Sequence, residues 1–143
     1  EYDFRLNELK RLIFDMNLTS KINLIEEPYE LQKFKEISLG LEDCQEGSSR
    51  CFKCYYLRLQ KAAVIAQKLN FDYFTTTLTI SPYKNADKLN EIGAMLASEY
   101  GVEYLFSDFK KKDGYKRSIE LSKKYSLYRQ NYCGCKFSKK VSV

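Results

Sequence analysis

Apolar residues at Phe4, Leu6, Leu9, Leu12, Ile13 and Met16 fall three or four apart, the stripe of an amphipathic helix over Tyr2 to Asn17. A short apolar run, Ile22, Leu24 and Ile25 within 21–26, predicts a strand. Pro28 then suits the first turn of a helix reaching about Ser38. The segment from Gly40 to Arg50, polar and holding two glycines, predicts a loop. From Phe52 to Asn70, Leu59, Ala62, Ala63, Ala66 and Leu69 share one helical face, and the small alanines suit close packing on a sheet. Aromatic and β-branched residues over Asp72 to Thr77 predict a strand, followed by a polar turn over Leu78 to Lys84 that contains Pro82. Asn85 is placed to cap a helix carrying Leu89, Ile92, Leu96 and Tyr100, and Gly101 to stop it. Val102 to Phe106 predicts another strand, Asp113 to about Ser126 a basic helix, and Tyr128 to Phe137 an irregular tail.

Strands alternating with helices imply an α/β fold, a parallel sheet with right-handed crossovers and helices sandwiching it. In such sheets sites lie beyond the carboxyl ends of the strands, here the loops 75–84 and 107–114. With 143 residues, a chain buries roughly 68% of its unfolded surface, so the expectation is a single domain over 1–143. Its longest uninterrupted apolar run, Ala62 to Ala66, is far short of the roughly 18 residues of a membrane span, and a soluble protein with no membrane partner is expected. The chain starts at Glu1 rather than Met, so a targeting peptide cannot be judged from it.

The sequence has no histidine, which excludes Ser-His-Asp and Cys-His nucleophile systems, HExxH zinc sites and Cys2His2 fingers. Any metal would sit on thiolate or oxygen ligands. The five cysteines are bunched as Cys44, Cys51 and Cys54, then Cys133 and Cys135, unlike an evenly stapled secreted scaffold, and a reducing cytoplasm is the expected location. Cys51-Phe52-Lys53-Cys54 is a CxxC at the start of a helix, where free N–H groups and the positive helix end favour thiolate. The spacing alone allows zinc, an iron-sulfur cluster, disulfide exchange or inert buried thiols. Cys133-Gly134-Cys135 permits a strained, readily reduced disulfide, which suits a redox shuttle. All four of these cysteines around one structural zinc is the competing reading. Cys44, beside Glu42, Asp43 and Glu46, lacks an electropositive setting.

The net charge of +5 is unevenly distributed. Residues 110–143 hold 11 Lys+Arg against two acids, +9, whereas residues 1–109 carry −4. Basic residues interleaved with Tyr115, Tyr125, Tyr128, Tyr132 and Phe137 suit a nucleic-acid surface, in which phosphates supply affinity and unstacked bases lie on aromatic faces. A solvated basic helix and tail explains the same composition.

Three separated blocks then become recognisable. They are Arg50-Cys51-Phe52-Lys53-Cys54-Tyr55 with Leu57-Arg58-Leu59; Phe71-Asp72-Tyr73-Phe74-Thr75-Thr76-Thr77-Leu78 with Ser81-Pro82-Tyr83-Lys84; and Tyr128-Arg129-Gln130-Asn131-Tyr132-Cys133-Gly134-Cys135-Lys136-Phe137-Ser138. Together they resemble the QueH-type epoxyqueuosine reductases, over essentially the whole chain. The resemblance implies an adenine-nucleotide α-hydrolase-like (Rossmann-like) sandwich. It implies an oxidoreductase that converts epoxyqueuosine to queuosine at the wobble position of tRNA, the last step of queuosine biosynthesis, with an iron-sulfur (4Fe-4S) cluster and no cobalamin. An additional iron is left open, and the electron donor is not identified.

Carried over by position, the resemblance makes Cys51 and Cys54 cluster ligands and Cys133 with Cys135 the redox-active pair; the mechanistic expectation added to it is that this pair relays reducing equivalents to the cluster. The family's other two ligands lie in a CCxPC-like segment just after its first β-strand, upstream of Glu1. The expectation is therefore a domain without its first strand, presenting half a cluster cage, whose stability and activity alone are in question. Arg50 and Arg58 flank the cysteine helix, as phosphate contacts, tuners of cluster potential or, for Arg58, a plain surface charge. Thr75, Thr76 and Thr77 end a strand, where they bind nucleotide or simply express β-propensity; Tyr83 and Lys84 have the same standing. Tyr128 and Arg129 are the choices for base stacking and phosphate contact.

Overall fold

The computed structural model describes residues 1–139. Among these described residues five α-helices are formed: α1 (Tyr2–Asp15), α2 (Leu31–Ser38), α3 (Ser49–Lys68), α4 (Ala86–Tyr100) and α5 (Gly114–Lys124). Two short strands, β1 (Tyr73–Phe74) and β2 (Glu103–Tyr104), pair in parallel, with Tyr73 opposite Glu103 and Phe74 opposite Tyr104. Single 3-10 turns cover Thr77–Ile80 and Lys136–Ser138. Length argues for one domain, whereas the chain divides into two compact units, residues 31–116 and residues 1–30 with the segment from Arg117 onward. The last four residues of the basic segment 110–143 lie outside the described residues.

The unit 31–116 is built on apolar burial. Tyr55, Leu59, Ala63 and Ala66 of α3 meet Leu89, Ile92 and Leu96 of α4 over Phe74, Val102 and Tyr104. The alanines allow α3 close to α4. At Gly93 the approach is tighter still, because a Cβ there would run into the Tyr104 ring. The helix boundaries follow local chemistry: Asn85 Oδ1 accepts the Lys88 N–H at 2.9 Å, and Gly101 closes α4 at φ +66°, where its N–H reaches the Ala97 carbonyl. Leu69, expected on the buried stripe, instead follows the last turn of α3 and is exposed.

Parallel pairing across the α4 connection agrees with the expected α/β arrangement, but the strands are shorter than predicted. Thr76 is the reason at β1. Its hydroxyl accepts the Leu78 N–H at 3.2 Å, which turns the backbone into the 3-10 segment and ends the ladder. The expected sandwich is also only half formed within this unit. The strand residues Phe74 and Tyr104 are buried against α3 and α4, while Tyr73 on the other face is 57% exposed.

In the other unit α1 forms as expected, yet none of its residues is fully buried. The strand predicted over 21–26 is absent: Ile22 and Ile25 are exposed, and no strand among the described residues pairs with them. A short apolar run makes a strand only when a ladder partner satisfies its backbone. Residues 22–30 have no regular structure and are tied to α1 by side chains. The Tyr2 hydroxyl donates to the Glu27 carbonyl, the Tyr2 and Tyr29 rings stack at 5.6 Å, and Lys10 pairs with Glu26 at 2.6 Å. The helix predicted from Pro28 begins at Leu31.

Candidate functional site

Cys51 and Cys54 occupy the first turn and a half of α3, so both sulfurs leave the same end of the helix. The Gly47 N–H donates to Cys51 Sγ at 3.2 Å. Arg50, only 3% exposed, holds the preceding loop in place: its Nη1 donates to the carbonyls of Leu41, Glu42 and Cys44 at 2.9, 2.9 and 2.6 Å. The residue chosen as a phosphate contact is thus an interior clamp beside the cysteine pair. Arg58 is exposed on α3.

The loop after β1 reaches the same place. Lys84, its side chain 8% exposed, pairs with Glu46 of the loop before α3 at 2.7 Å. Burial pushes the Tyr55 hydroxyl above its ordinary titration range, Lys84 pulls it down, and Cys51 and Cys54 push it up. The cysteines, Tyr55 and Lys84 therefore share one electrostatic neighbourhood. The Lys84 charge there is paired with Glu46, and the helix start adds its own partial positive charge.

Among the sequence-chosen threonines, Thr75 Oγ1 donates to the Leu105 carbonyl at 2.8 Å and Thr76 caps the 3-10 turn. Tyr83 is exposed, with its N–H on Ser81 Oγ at 3.3 Å. A polar cluster that sequence reading did not single out lies beyond the strand ends. Buried Thr79 Oγ1 meets Ser107 Oγ at 3.2 Å and accepts the Phe109 N–H at 3.3 Å. Asn90 donates to the Ser107 carbonyl at 3.0 Å and accepts the Ser107 N–H at 3.2 Å. This network joins the two loops expected to carry function.

In the other unit the basic helix ends at Lys124 rather than near Ser126, and the tail expected to be irregular over Tyr128–Phe137 is so up to Cys135, before the 3-10 turn at Lys136–Ser138; it is fixed by α1. Arg11 Nη1 and Nη2 donate to the carbonyls of Tyr125 and Ser126 at 2.9 and 3.2 Å, and Glu8 accepts the Tyr128 N–H at 2.8 Å. The Tyr128 ring stands edge-on to Phe4 with centroids 4.9 Å apart, and Arg129 donates to Ser122 Oγ at 3.0 Å. Arg5 Nη1 and Nη2 donate to the carbonyls of Cys133 and Tyr132, each at 3.3 Å, and the guanidinium also covers the Tyr132 ring at 5.3 Å. Gly134 sits at φ +96°, a conformation that disfavours any side chain, with the Arg5 guanidinium 3.0 Å from where a Cβ would be. Cys133 is exposed and Cys135 half-buried, both as free thiols. Cys133 Sγ lies 3.0 Å from Ser138 Oγ.

Sequence reading missed Arg5, Glu8, Arg11 and Ser138. The spacings Glu1/Arg5, Glu8/Arg11 and Arg11/Asp15 were legible as pairs along one helix. Nothing local announced that the same guanidiniums also hold carbonyls more than a hundred residues away.

The donor set also limits what this chain holds by itself. Among the described residues no three His, Cys, Asp or Glu side chains gather to bind a metal ion, and Cys44 does not join Cys51 and Cys54 in such a group. Two thiolates do not make the four-ligand cage of an iron-sulfur cluster. Among the described residues, Cys51 and Cys54 are the two thiols that stand together at the start of α3.

A fold with a small parallel sheet, a CxxC at a helix start and a clamped CGC loop defines a thiol-bearing α/β protein. Its family is shown by sequence: residues 1–141 match the model of the family described as Epoxyqueuosine reductase QueH, and the chain belongs to that family. It is 42% identical over 142 residues to the epoxyqueuosine reductase QueH of Staphylococcus aureus, covering 96% of this chain and 59% of the relative. For the protein of the same name from Streptococcus pyogenes, identity is 38% over 143 residues, covering 99% of this chain and 56% of the relative. With that from Thermotoga maritima it is 39% over 109 residues, covering 76% and 57%. The chain thus spans somewhat over half the length of these relatives.

Proposed function

We propose that this chain carries the thiol chemistry of an epoxyqueuosine reductase, an oxidoreductase that converts epoxyqueuosine in tRNA to queuosine as the last step of queuosine biosynthesis. The observation that carries this reading is the presence of both dicysteine motifs within the family match, the first of them at the start of α3 beside the Lys84–Glu46 pair. Removing the epoxide oxygen as water takes two electrons and two protons. A dithiol such as Cys133 with Cys135 stores that pair of electrons and becomes a disulfide on giving them up. In this reading Cys51 and Cys54 are ligands of a 4Fe-4S cluster whose remaining ligands lie outside the described residues; the cluster, when bound, supplies one-electron chemistry. Arg50 and Gly47 then hold the first ligand's loop and sulfur in position. No residue here is assigned to an additional iron.

The tRNA reading rests on the basic, aromatic segment from Lys110 onward. Its charge is partly compensated: Asp108 takes Lys110 at 2.6 Å and Lys111 at 3.5 Å, and Arg117 pairs with Glu120 at 3.2 Å. Tyr128, Arg129, Arg58 and Tyr83 remain the proposed contacts to the nucleic acid. The reaction belongs to the cytoplasm, and no helix among the described residues is long and apolar enough to cross a membrane. The two parallel strands are read as part of a larger adenine-nucleotide α-hydrolase-like, Rossmann-like sheet.

The deciding experiment incubates the full-length protein, purified without oxygen, with epoxyqueuosine-containing tRNA and a chemical reductant, and reads the nucleosides by mass spectrometry. Queuosine appearing at the expense of epoxyqueuosine is expected. Its absence from protein shown to contain iron and labile sulfide overturns the reading. A colourless zinc protein would instead indicate a non-catalytic RNA-binding module, and metal-free protein with a titratable disulfide a thiol-disulfide oxidoreductase of other substrates.

A further inference from the structure

The two sulfurs of the CGC loop are not equivalent, and Ser138 is the reason. Its hydroxyl donates to the Cys135 carbonyl at 2.9 Å, so at 3.0 Å from Cys133 Sγ it is left to accept the Cys133 S–H. A chain results: Cys133 S–H to Ser138 O–H to Cys135 C=O. The same carbonyl also accepts the Ser138 backbone N–H at 3.0 Å. When Cys133 loses its proton, the hydroxyl can therefore turn to the sulfur without leaving Cys135 C=O unsatisfied. A hydrogen bond to the anionic sulfur is roughly twice as strong as a neutral one, so the turn is favoured. The 3-10 turn Lys136–Ser138 fixes the hydroxyl, and the Arg5 guanidinium on the Cys133 carbonyl fixes the other end of the loop and adds positive charge to it. Cys133 is exposed, while Cys135 is half-buried. No sulfur or hydroxyl contact to Cys135 Sγ matches the one at Cys133 among the described hydrogen bonds.

We propose that Cys133 is the entry sulfur of the Cys133/Cys135 pair and that Ser138 is its proton partner. The proposal rests on reading this pair as redox-active. Starting from the disulfide, a thiolate of a dithiol reductant attacks Cys133 Sγ; the Cys133–Cys135 bond breaks, and Cys135 leaves as thiolate and takes up a proton. The reductant's second thiolate then attacks its own sulfur in the mixed disulfide and expels Cys133 as thiolate, which receives the Ser138 hydroxyl hydrogen bond. The reductant ends as a disulfide, and the pair holds two more electrons and the one proton on Cys135; a second proton from solvent completes the dithiol when Cys133 is protonated. Ser138 assists the second departure and, in the reverse sense, prepares Cys133 as the attacking thiolate.

The test is cysteine labelling of the reduced full-length protein with iodoacetamide at neutral pH, resolved by peptide mass spectrometry. Cys133 is expected to react about ten times faster than Cys135. Ser138→Ala should slow Cys133 about three- to tenfold and leave Cys135 unchanged, and Ser138→Thr should restore the rate. With glutathione disulfide as a second probe, Cys135→Ser should accumulate the mixed disulfide and Cys133→Ser should not. Faster labelling of Cys135, or an unchanged Cys133 rate in Ser138→Ala, overturns the assignment. An unchanged Cys135 rate together with an unshifted Tyr128 amide resonance in Ser138→Ala shows that the unit carrying the substitution is folded. Because labelling needs no tRNA, failure here is distinct from failure of the reductase reading, in which queuosine does not form although the thiol asymmetry stands.

Discussion

The two units of this protein hold together by different physics. In residues 31–116, α3 and α4 bury Leu59, Leu89 and Leu96 almost completely, and the first cysteine pair stands on the start of one of those helices. In the unit of residues 1–30 and the C-terminal segment, no helix contributes a fully buried residue, and charged side chains reach backbone carbonyls instead. Apolar burial is not screened by salt as charge contacts are and leaves the helix rigid, so the first cysteine pair stands on a fixed support. Guanidinium-to-carbonyl bonds tether a segment at a few points and leave its tip exposed, which suits sulfurs that must meet another molecule.

The largest expected effect bears on the apolar unit. Leu59→Ala or Leu89→Ala should cost about 2–5 kcal/mol by loss of burial and creation of a cavity, read as a lower midpoint in denaturant unfolding. A cost below that of a surface substitution would mean that α3 and α4 do not form the core. Gly93→Ala should follow, at about 1–3 kcal/mol, since the new methyl enters the space of the Tyr104 ring. Pairing it with Tyr104→Leu should recover part of the loss, which a helix-propensity effect would not. Asn85→Ala, removing the cap of α4, should cost ~1 kcal/mol, and Asn85→Gly only a few tenths.

The smallest effects are the most discriminating, because pH separates the units. The Arg11 hydrogen bond, aided by the Tyr128 N–H, holds the Glu8 carboxyl below its ordinary value of 4.5. Its contribution is then complete above that value and is lost as pH falls through the lowered one in the folded protein. The Tyr128 amide resonance should titrate there, shift toward its free position at high salt, and stop responding in Glu8→Gln. Tyr55 and Tyr104 have the opposite sense. Burial raises both hydroxyls above the ordinary 10.0. Their contribution is present below that value and is lost as pH rises past it, because the unfolded chain ionises first. Acid should therefore release the Glu8 contact of the tail and, in the other unit, the Asp108–Lys110 contact that is lowered in the same sense, while alkali should loosen the core before the tail. Simultaneous loss in alkali, by amide resonances from each unit, would show that the two units unfold as one.

Legibility divided along the same line. The stripe Leu59, Ala63, Ala66, the stripe Leu89, Ile92, Leu96, the Asn85 cap and the Gly101 stop were readable because helix periodicity and capping are local and the core only completes them. Residues 21–26 misled because a strand needs a partner that a six-residue window cannot contain, and 72–77 shortened because Thr76 spent its hydroxyl on a turn. At the sites, the motifs named Cys51, Cys54, Cys133 and Cys135 by spacing and family resemblance. They did not say that Arg50 is an interior clamp, that Lys84 pairs across to Glu46, or that Arg5 and Ser138 hold the CGC loop.

The chain by itself determined its helices and its parallel α/β pairing, which follow from periodicity and caps within short stretches, and it placed two pairs of cysteines by their spacing. Only the tertiary structure decided how each sulfur is equipped. A buried lysine, a guanidinium spent on three carbonyls and a hydroxyl 3.0 Å from one thiol come from segments brought together in space. Electrostatic and hydrogen-bonding partners act over a few ångströms, and sequence distance carries no record of them.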